Sequence, residues 1–456
     1  MLVVGSFFDA AGPGRTMLYF AVRGSCTKTG AIPLASPQLP AQSPSDRSMM
    51  LVLVLLGLAL RAWVIQNIPL EPEFDFRRYF EAAASLVTNG ALANAGHPYI
   101  IQGPGYPLLL ASAFSALGIG ILQGKLLNIS LYLGSMILTD RIAERLAVPR
   151  TIKALMLATI ALHPGLIFYV IVLGTELLSV FLVLACILFS LSPSRPSRIA
   201  LGIFSAALSL TRPQFLPVIF IFIIFSGGGL AELRRTVAFS LIPFVFVMTP
   251  WVVRNYQVFD SLIPVSASTG YISLVNNNDA ANGFWMPLAR VPISEEDKKR
   301  FDQSNNPGLF EVGNDGEKVI RWSPYNDHVA KSIAIKWIAS HPAKFISLGA
   351  ERLRISFFSS EGNMLFWPLR AIGSYNWMLN IIKTLNLLLL PLVAISLLIM
   401  VYRRKYYWRA GLVPTLIFFG GLGAIFVFEG QGRYVLPLLP AALTLASLPM
   451  ANALRS

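Results

Sequence analysis

Charge is what this sequence has least of. Asp, Glu, Lys and Arg make up 13% of its 456 residues, against about 25% in a soluble domain. With 55% hydrophobic residues, too little polar surface remains to enclose a water-soluble core, and a soluble globular fold is excluded. Cysteine is nearly absent. Cys26 and Cys186 make no disulfide framework, and Cys186 falls within an apolar run, as a small buried hydrophobe does. The four histidines, His97, His163, His328 and His341, show no metal-ligand spacing. No self-similarity at a solenoid period is present. The apolar core from Met17 to Ala21 is too short for a secretory leader and is followed by Arg23, so none is expected.

What the chain has instead is long apolar runs, several near the ~20 residues that a helix needs to cross hydrocarbon. They lie near 49–66, 122–139, 152–170, 176–191, 199–211, 213–226, 236–253, 377–401, 409–427 and 433–449. The expected fold is therefore an all-α polytopic membrane protein with about ten transmembrane helices. Residues 1–48 differ from the rest. They mix Gly, Pro, Ser and Thr, and AIPLASPQLPAQSPSDRS has the composition of a disordered segment. Met49 and Met50 stand directly before the first strong apolar run. Translation starting there would make 1–48 an upstream extension and 49–456 the transmembrane domain.

The net charge of +14 would point to nucleic acid in a soluble protein. Here the basic residues sit in short clusters between apolar runs, so the positive-inside rule accounts for them and no nucleic-acid partner is expected. Placing the N-terminus in the cytoplasm gives inner connections that hold Arg141, Arg145, Arg150 and Lys153, then Arg195 and Arg198, then Arg234 and Arg235, then Arg403, Arg404, Lys405 and Arg409. Arg455 also falls inside. Every inner loop is basic under this one choice. Two longer segments, 67–123 and 254–375, then face the outside, the periplasm of a Gram-negative cell. The stretch from Pro107 to Leu117 is apolar but too short to span, and is expected as a helix at the membrane surface.

Ionisable groups beside apolar segments are costly, so their placement is informative. Asp75, Glu176, Arg212, Arg254, Glu429 and Arg433 all fall at the outer ends of their spans. A transporter gathers such groups near the midplane. An interface lined with acids and arginines suits an enzyme that takes a charged lipid headgroup from the outer leaflet. Each group also has a plainer reading. Glu429 and Arg433 are one turn apart, as in a local ion pair. Arg212 and Arg254 can snorkel to headgroups, and Glu71 and Glu81 read as solvated loop charges. Asp75 stands where an N-cap for a helix from Arg77 to Val87 would be.

The segments FDFRRYFEAAASLVTNG and QGPGYPLLLASAFSALG together resemble the first outer loop of GT-C-type membrane glycosyltransferases, such as the protein O-mannosyltransferases and the lipid A aminoarabinose transferase. TELLSVFLVLA, LTRPQFLP, TPWVVRNYQVF, ASTGYISLVNNN, HPAKFISLGAERLRISFF and GQGRYVLPLLPAALTLA follow in the family's order. The resemblance covers nearly everything from Met50 to Ser447. It is specific for the family and not for a substrate.

The resemblance implies a polyprenyl-phosphate-linked sugar donor and an envelope acceptor, whether lipid A, another lipid, a glycan or a protein. It places the catalytic carboxylate at Asp75 and a second one at Glu176. Arg433 and Tyr434 would grip the donor phosphate, with Arg212 and Arg254 beside them. Glu73, Arg78, Tyr79, His97, Tyr106 and Asn255 complete the implied pocket. Many relatives carry a basic residue just before Pro-Gly-Tyr-Pro, where this chain has Gln102 and Gly103; Arg77, Arg78 or His97 would have to supply that charge. The few histidines and scattered carboxylates neither demand nor exclude a divalent cation. Acceptor recognition falls to 255–375. A lipid-linked saccharide flippase and a surface-polysaccharide ligase using a pyrophosphate-linked donor are the rival readings.

Overall fold

The computed structural model describes residues 44–225, 230–301, 322–359, 364–369, 376–402 and 404–451. The expected boundary at 48 closes a segment that is mostly outside that set, and Cys26, Arg403 and Arg455 lie outside it. The described residues are almost wholly helical. In chain order the helices are α1 (Pro44–Asn67), α2 (Phe74–Asn89), α3 (Gly105–Leu117), α4 (Ile121–Arg145), α5 (Arg150–Leu162), α6 (Pro164–Phe168), α7 (Thr175–Ser190), α8 (Arg195–Thr211), α9 (Leu216–Phe225) and α10 (Leu230–Thr236). They continue with α11 (Ile242–Phe259), α12 (Thr269–Asn276), α13 (Glu295–Lys298), α14 (Pro324–Ser340), α15 (Pro342–Phe358), α16 (Phe366–Leu369), α17 (Asn376–Tyr402), α18 (Arg404–Val427) and α19 (Leu439–Ser447). Between α2 and α3 the chain makes one minimal antiparallel hairpin, β1 (Ala93–Asn94) with β2 (His97–Pro98), in which Ala93 pairs with Pro98 and Asn94 with His97.

Among the described residues, each apolar run of the sequence has become helical, the form that satisfies backbone groups within hydrocarbon. Among the described residues, six stretches are long and apolar enough to cross a bilayer alone, and α5 with Pro164–Ile171, bent by 44°, is so as a pair. Three more apolar helical stretches, Gly105–Leu117, Thr175–Ser190 and Pro213–Ile224, are shorter. The all-α membrane architecture is as expected; length and composition alone support six or seven crossings. Large apolar side chains such as Leu51, Ile224, Phe246, Leu388 and Leu398 stand exposed around the bundle. That surface would aggregate in water and is suited to lipid.

The bend after α5 shows how the bundle handles a broken helix. Pro164 has no N–H for the carbonyl of Ile160, so the break leaves acceptors without their helical partner. Arg61 of α1, fully buried, fills the gap. Its guanidinium donates to the carbonyls of Ala161 at 2.9 Å, Leu166 at 3.2 Å and Ile160 at 3.3 Å, and it lies 3.6 Å from the ring centroid of Tyr132.

Almost every residue of α7 is buried, and it packs against α4, α8, α18 and α19 as the axis of the bundle. Outside the spans, α12 and α14 enclose a second, smaller core around Val275, Val329 and Ala330. Gly270 permits their close crossing, since a Cβ there would lie 1.8 Å from the Asp327 carbonyl oxygen. Arg352 of α15 fastens this cap to the bundle. It donates to the terminal carbonyls of α18 at Phe426 (2.7 Å) and Val427 (3.0 Å), and to Asn277 Oδ1 (3.0 Å).

Candidate active site

The site begins where α2 starts. Glu73 takes the N-cap position without a capping side chain, and its carbonyl accepts from Phe76 at 3.0 Å and Arg77 at 3.3 Å. Phe74 follows with φ of 49°, a left-handed conformation that is costly for a bulky residue. Its ring packs edge-on against Trp367 of α16 at 5.5 Å. Asp75 thus lies inside the first turn of α2 and does not cap the helix, which removes the plainer reading of that residue. Its carboxylate instead bridges two arginines. Oδ1 lies 3.2 Å from Arg78 one turn on, and Oδ2 lies 3.1 Å from Arg433 near the far end of the chain.

Arg433 opens the 3-10 turn Gly432–Leu438 that leads into α19. Its guanidinium is walled by Phe76, Trp367 and Tyr434, with ring centroids 5.6, 5.7 and 5.1 Å away, and it also donates to the Tyr434 hydroxyl at 3.3 Å. Tyr434 in turn donates to Glu429 Oε2 at 2.8 Å, while Gln431 donates to the other oxygen. The local Glu429–Arg433 pair expected from their spacing is therefore not how these side chains are used. Arg433 reaches across to α2, and Glu429 accepts from Tyr434 and Gln431.

A second ion pair lies beside the first. Glu176 in the first turn of α7 meets Arg212, just past the end of α8, at 3.1 Å, and Arg212 Nε donates to Ser179 Oγ at 3.2 Å. Both charged side chains are buried. The Arg212 guanidinium is 5.4 Å from the ring centroid of Tyr434, which joins the two halves. Glycines make this approach possible. A Cβ on Gly103 would fall 2.1 Å from the Leu210 carbonyl oxygen, and one on Gly105 would fall 2.2 Å from Thr211 Oγ1 and 2.9 Å from its backbone. The Gly-Pro-Gly-Tyr-Pro stretch thus lies flush against the end of α8 that presents Arg212. A Cβ on Gly174 would likewise meet Glu176 Oε2 at 2.4 Å and Phe76 at 2.9 Å.

The surroundings set the carboxyl groups differently. Burial would raise the Asp75 pKa, but Arg433, Arg78 and Arg212 outweigh it and hold the carboxyl below its ordinary range. For Glu429 burial prevails over Arg433 and Tyr434, and its pKa is raised.

Of the residues singled out from the sequence, Asp75, Arg78, Glu176, Arg212, Arg433 and Tyr434 come together here. Tyr79 is buried one turn after Asp75 and packs edge-on against Tyr106 at 5.7 Å. Tyr106 donates to Asn128 at 3.4 Å, so this pair forms the packing beneath the site. Arg254 has another use. It donates to the carbonyls of Tyr99 at 2.8 Å and Leu92 at 3.3 Å and to Asn255 Oδ1 at 3.0 Å. Asn255 donates to the Ile263 carbonyl at 2.9 Å. Both anchor segments outside the spans to the end of α11. His97 lies in the β1–β2 hairpin, and Arg77 is paired with Glu81 at 2.7 Å, so of the basic candidates near Gln102 only Arg78 joins the network. Phe76, Trp367, Ser179 and Gln431 were not anticipated.

No three of His, Cys, Asp and Glu converge as a metal-ion site among the described residues. The three carboxylates of the network face arginine, tyrosine or glutamine, a donor set that does not fit a divalent cation in this arrangement.

Over 88% of its length the chain aligns with 48% of the oligosaccharyltransferase of Archaeoglobus fulgidus, solved in complex with Zn and sulfate, at a TM-score of 0.50 and 11% identity. That likeness is one of fold. The chain spans about half the length of that archaeal structure. ArnT from Cupriavidus metallidurans, bound to undecaprenyl phosphate and in the apo state, aligns at 12% identity with TM-scores of 0.43 and 0.38. These alignments cover 88% and 89% of this chain and 78% of ArnT. No protein-family model and no curated protein sequence matches the chain. Likeness at this identity establishes the fold, and the chemistry must be argued from the site.

Proposed function

We propose that this chain is a membrane glycosyltransferase that moves a sugar from a polyprenyl-phosphate donor to an envelope acceptor at the outer face of the plasma membrane. The observation that carries this reading is the contact of Asp75 with Arg433 at 3.1 Å, which joins the first outer segment to the last helix. A buried carboxylate–guanidinium pair costs desolvation and is weak evidence of stabilisation. A pair about a third exposed on its acidic side, with a second pair and a tyrosine beside it, suits a headgroup site better.

The reaction is a single displacement. The acceptor hydroxyl oxygen bonds to the anomeric carbon, the bond from that carbon to the phosphate oxygen breaks, and polyprenyl phosphate leaves with the electron pair. Asp75 takes the hydroxyl proton, and one in-line displacement inverts the anomeric centre. Arg433 and Arg212 meet the charge that develops on the leaving phosphate. A phosphate at Arg433 competes with Asp75 for the same guanidinium, so donor binding frees the carboxylate to act as base. Arg78 supplies the positive charge that Gln102 does not. The transmembrane domain 49–456 carries the chemistry, with the first outer segment catalytic and the segment 254–375 receiving the acceptor.

The test offers the purified protein in nanodiscs a panel of polyprenyl-phosphate sugars with cell-envelope extract and follows lipid products by mass spectrometry. Wild type is expected to release polyprenyl phosphate, and Asp75→Asn to be slower by about 10²–10⁴-fold. A flippase would leave the sugar–phosphate bond intact and tolerate Asp75→Asn. A polysaccharide ligase would release polyprenyl pyrophosphate. Either result overturns the proposal.

A further inference from the structure

Around this network some buried polar atoms have no hydrogen-bond partner: the Tyr169 hydroxyl, Arg433 Nε and Glu176 Oε2. Tyr169 is the most telling. It is 1% exposed and opens the 3-10 turn Tyr169–Ile171 at the end of the bent span. Asn128 of α4 holds that turn rigidly, donating to the carbonyls of Val170 at 3.0 Å and Val172 at 2.9 Å. The turn packs against α7, which carries Glu176, and α6 just before it packs against the turn that carries Arg433 and Tyr434. A buried hydroxyl without a partner costs about 1–3 kcal/mol, and phenylalanine would fill the same space without that cost.

Charge balance shows what the hydroxyl is for. Arg78, Arg212 and Arg433 face Asp75, Glu176 and Glu429, so the network is formally neutral. An arriving anion therefore needs donor atoms that no carboxylate already occupies. Tyr169 O–H and Arg433 Nε–H are two such donors, and Glu176 Oε2 is an acceptor for a hydroxyl.

We propose that Tyr169 and Arg433 Nε bind the phosphate of the lipid-linked donor, while Glu176 Oε2 accepts a hydrogen bond from a hydroxyl of the sugar. This rests on the donor class assigned above and adds Tyr169 as a residue that touches it. The hydroxyl is a neutral donor to phosphate, so Tyr169 acts in binding and transfers no proton.

The test is Tyr169→Phe in the full-length protein, with undecaprenyl phosphate and inorganic phosphate as probes. Without ligand the variant is expected to melt at the wild-type Tm or above it, because no hydrogen bond is lost. Undecaprenyl phosphate should raise the Tm of wild type and bind the variant about tenfold more weakly. KM for the donor should rise by a similar factor with a smaller change in kcat. Equal affinity of the two proteins for undecaprenyl phosphate overturns the proposal, as does a lower Tm of the ligand-free variant. A Tyr169-dependent shift with inorganic phosphate but none with the lipid overturns the assignment to a lipid-linked donor. No binding by the wild type overturns the donor class itself, together with this inference.

Discussion

Asp75 and Glu429 sit at two ends of one hydrogen-bonded chain, through Arg433 and Tyr434, yet their surroundings drive their pKa values apart. That divergence separates a group that stays ionised from one that holds a proton more readily. The lowered Asp75 pKa gives a sign that can be checked. A carboxyl whose folded pKa lies below its unfolded value of about 3.9 contributes stability above that value. It loses the contribution as pH falls through the lower, folded pKa. Asp75 is thus ionised throughout the neutral range, and the acid limb of kcat/KM that reports it should lie below the ordinary aspartate range. Arg78→Gln removes the second of the charges that lower it and leaves Arg433 in place, so this limb should move to higher pH. The profile of donor turnover against pH, wild type beside variant, reads this directly; a limb that does not move would mean that another group limits the rate.

Legibility from sequence divided along chemical lines at this scale. Asp75, Glu176, Arg212 and Arg433 were visible because an ionisable group beside an apolar run is expensive and stands out. Arg61 and Arg254 carry the same signature, and the structure uses them to satisfy backbone carbonyls. A letter cannot tell a ligand for phosphate from a cap for a broken helix. Tyr169, Phe76 and Trp367 gave no signal at all, because an aromatic residue in an apolar stretch reads the same in a core or in the wall of a site.

At the scale of elements, the Gly-Pro-Gly-Tyr-Pro stretch matters for what it lacks. Its two glycines let the N-terminus of α3 touch the end of α8, and through that contact they set the position of Arg212. Alanine at Gly103 or Gly105 must push the segments apart, because backbone atoms stand within 3 Å of the added Cβ. Overpacking of this kind costs about 1–3 kcal/mol, and turnover should fall further than stability because Arg212 is displaced with α8. Gly423 in α18 is the control. Nothing lies within 4 Å of its Cβ position, so Gly423→Ala should leave turnover unchanged and raise stability by up to about 1 kcal/mol. Thermal unfolding in detergent alongside turnover distinguishes the two classes; equal effects at Gly103 and Gly423 would sink the packing argument. The sequence showed the glycines without their reason, since their neighbours at Leu210 and Thr211 are about a hundred residues away.

On the scale of the whole molecule, charged ties mark both ends of the bundle, and they differ in kind. At one end lie the Asp75 network, the Gly103–Gly105 contact with α8 and the Arg254 anchor to Tyr99. Those contacts chain α2, α3, the end of α8 and the end of α11 onto one side. At the other end Lys153 binds Asp140 at 2.7 Å and Glu144 at 3.2 Å, and Arg198 pairs with Glu232. The surplus of Arg and Lys expected inside the cell belongs to this second end, where Arg145, Arg195, Arg234 and Arg235 lie near Arg141, itself paired with Glu144 at 3.1 Å. The positive-inside rule predicts that the Asp75 network faces outward. Single-cysteine variants make that a direct measurement, with Cys26 replaced and the buried Cys186 left silent. Asp260→Cys, exposed just past α11, should react with a membrane-impermeant maleimide on intact cells. Arg141→Cys, exposed near the end of α4, should react only after lysis. The reverse pattern would place the network in the cytoplasm and remove the outer-leaflet donor from the reaction. Labelling of both sites on intact cells would mean that the alternation of spans inferred from the apolar runs is wrong between α4 and α11, where the short helices α7, α8 and α9 lie.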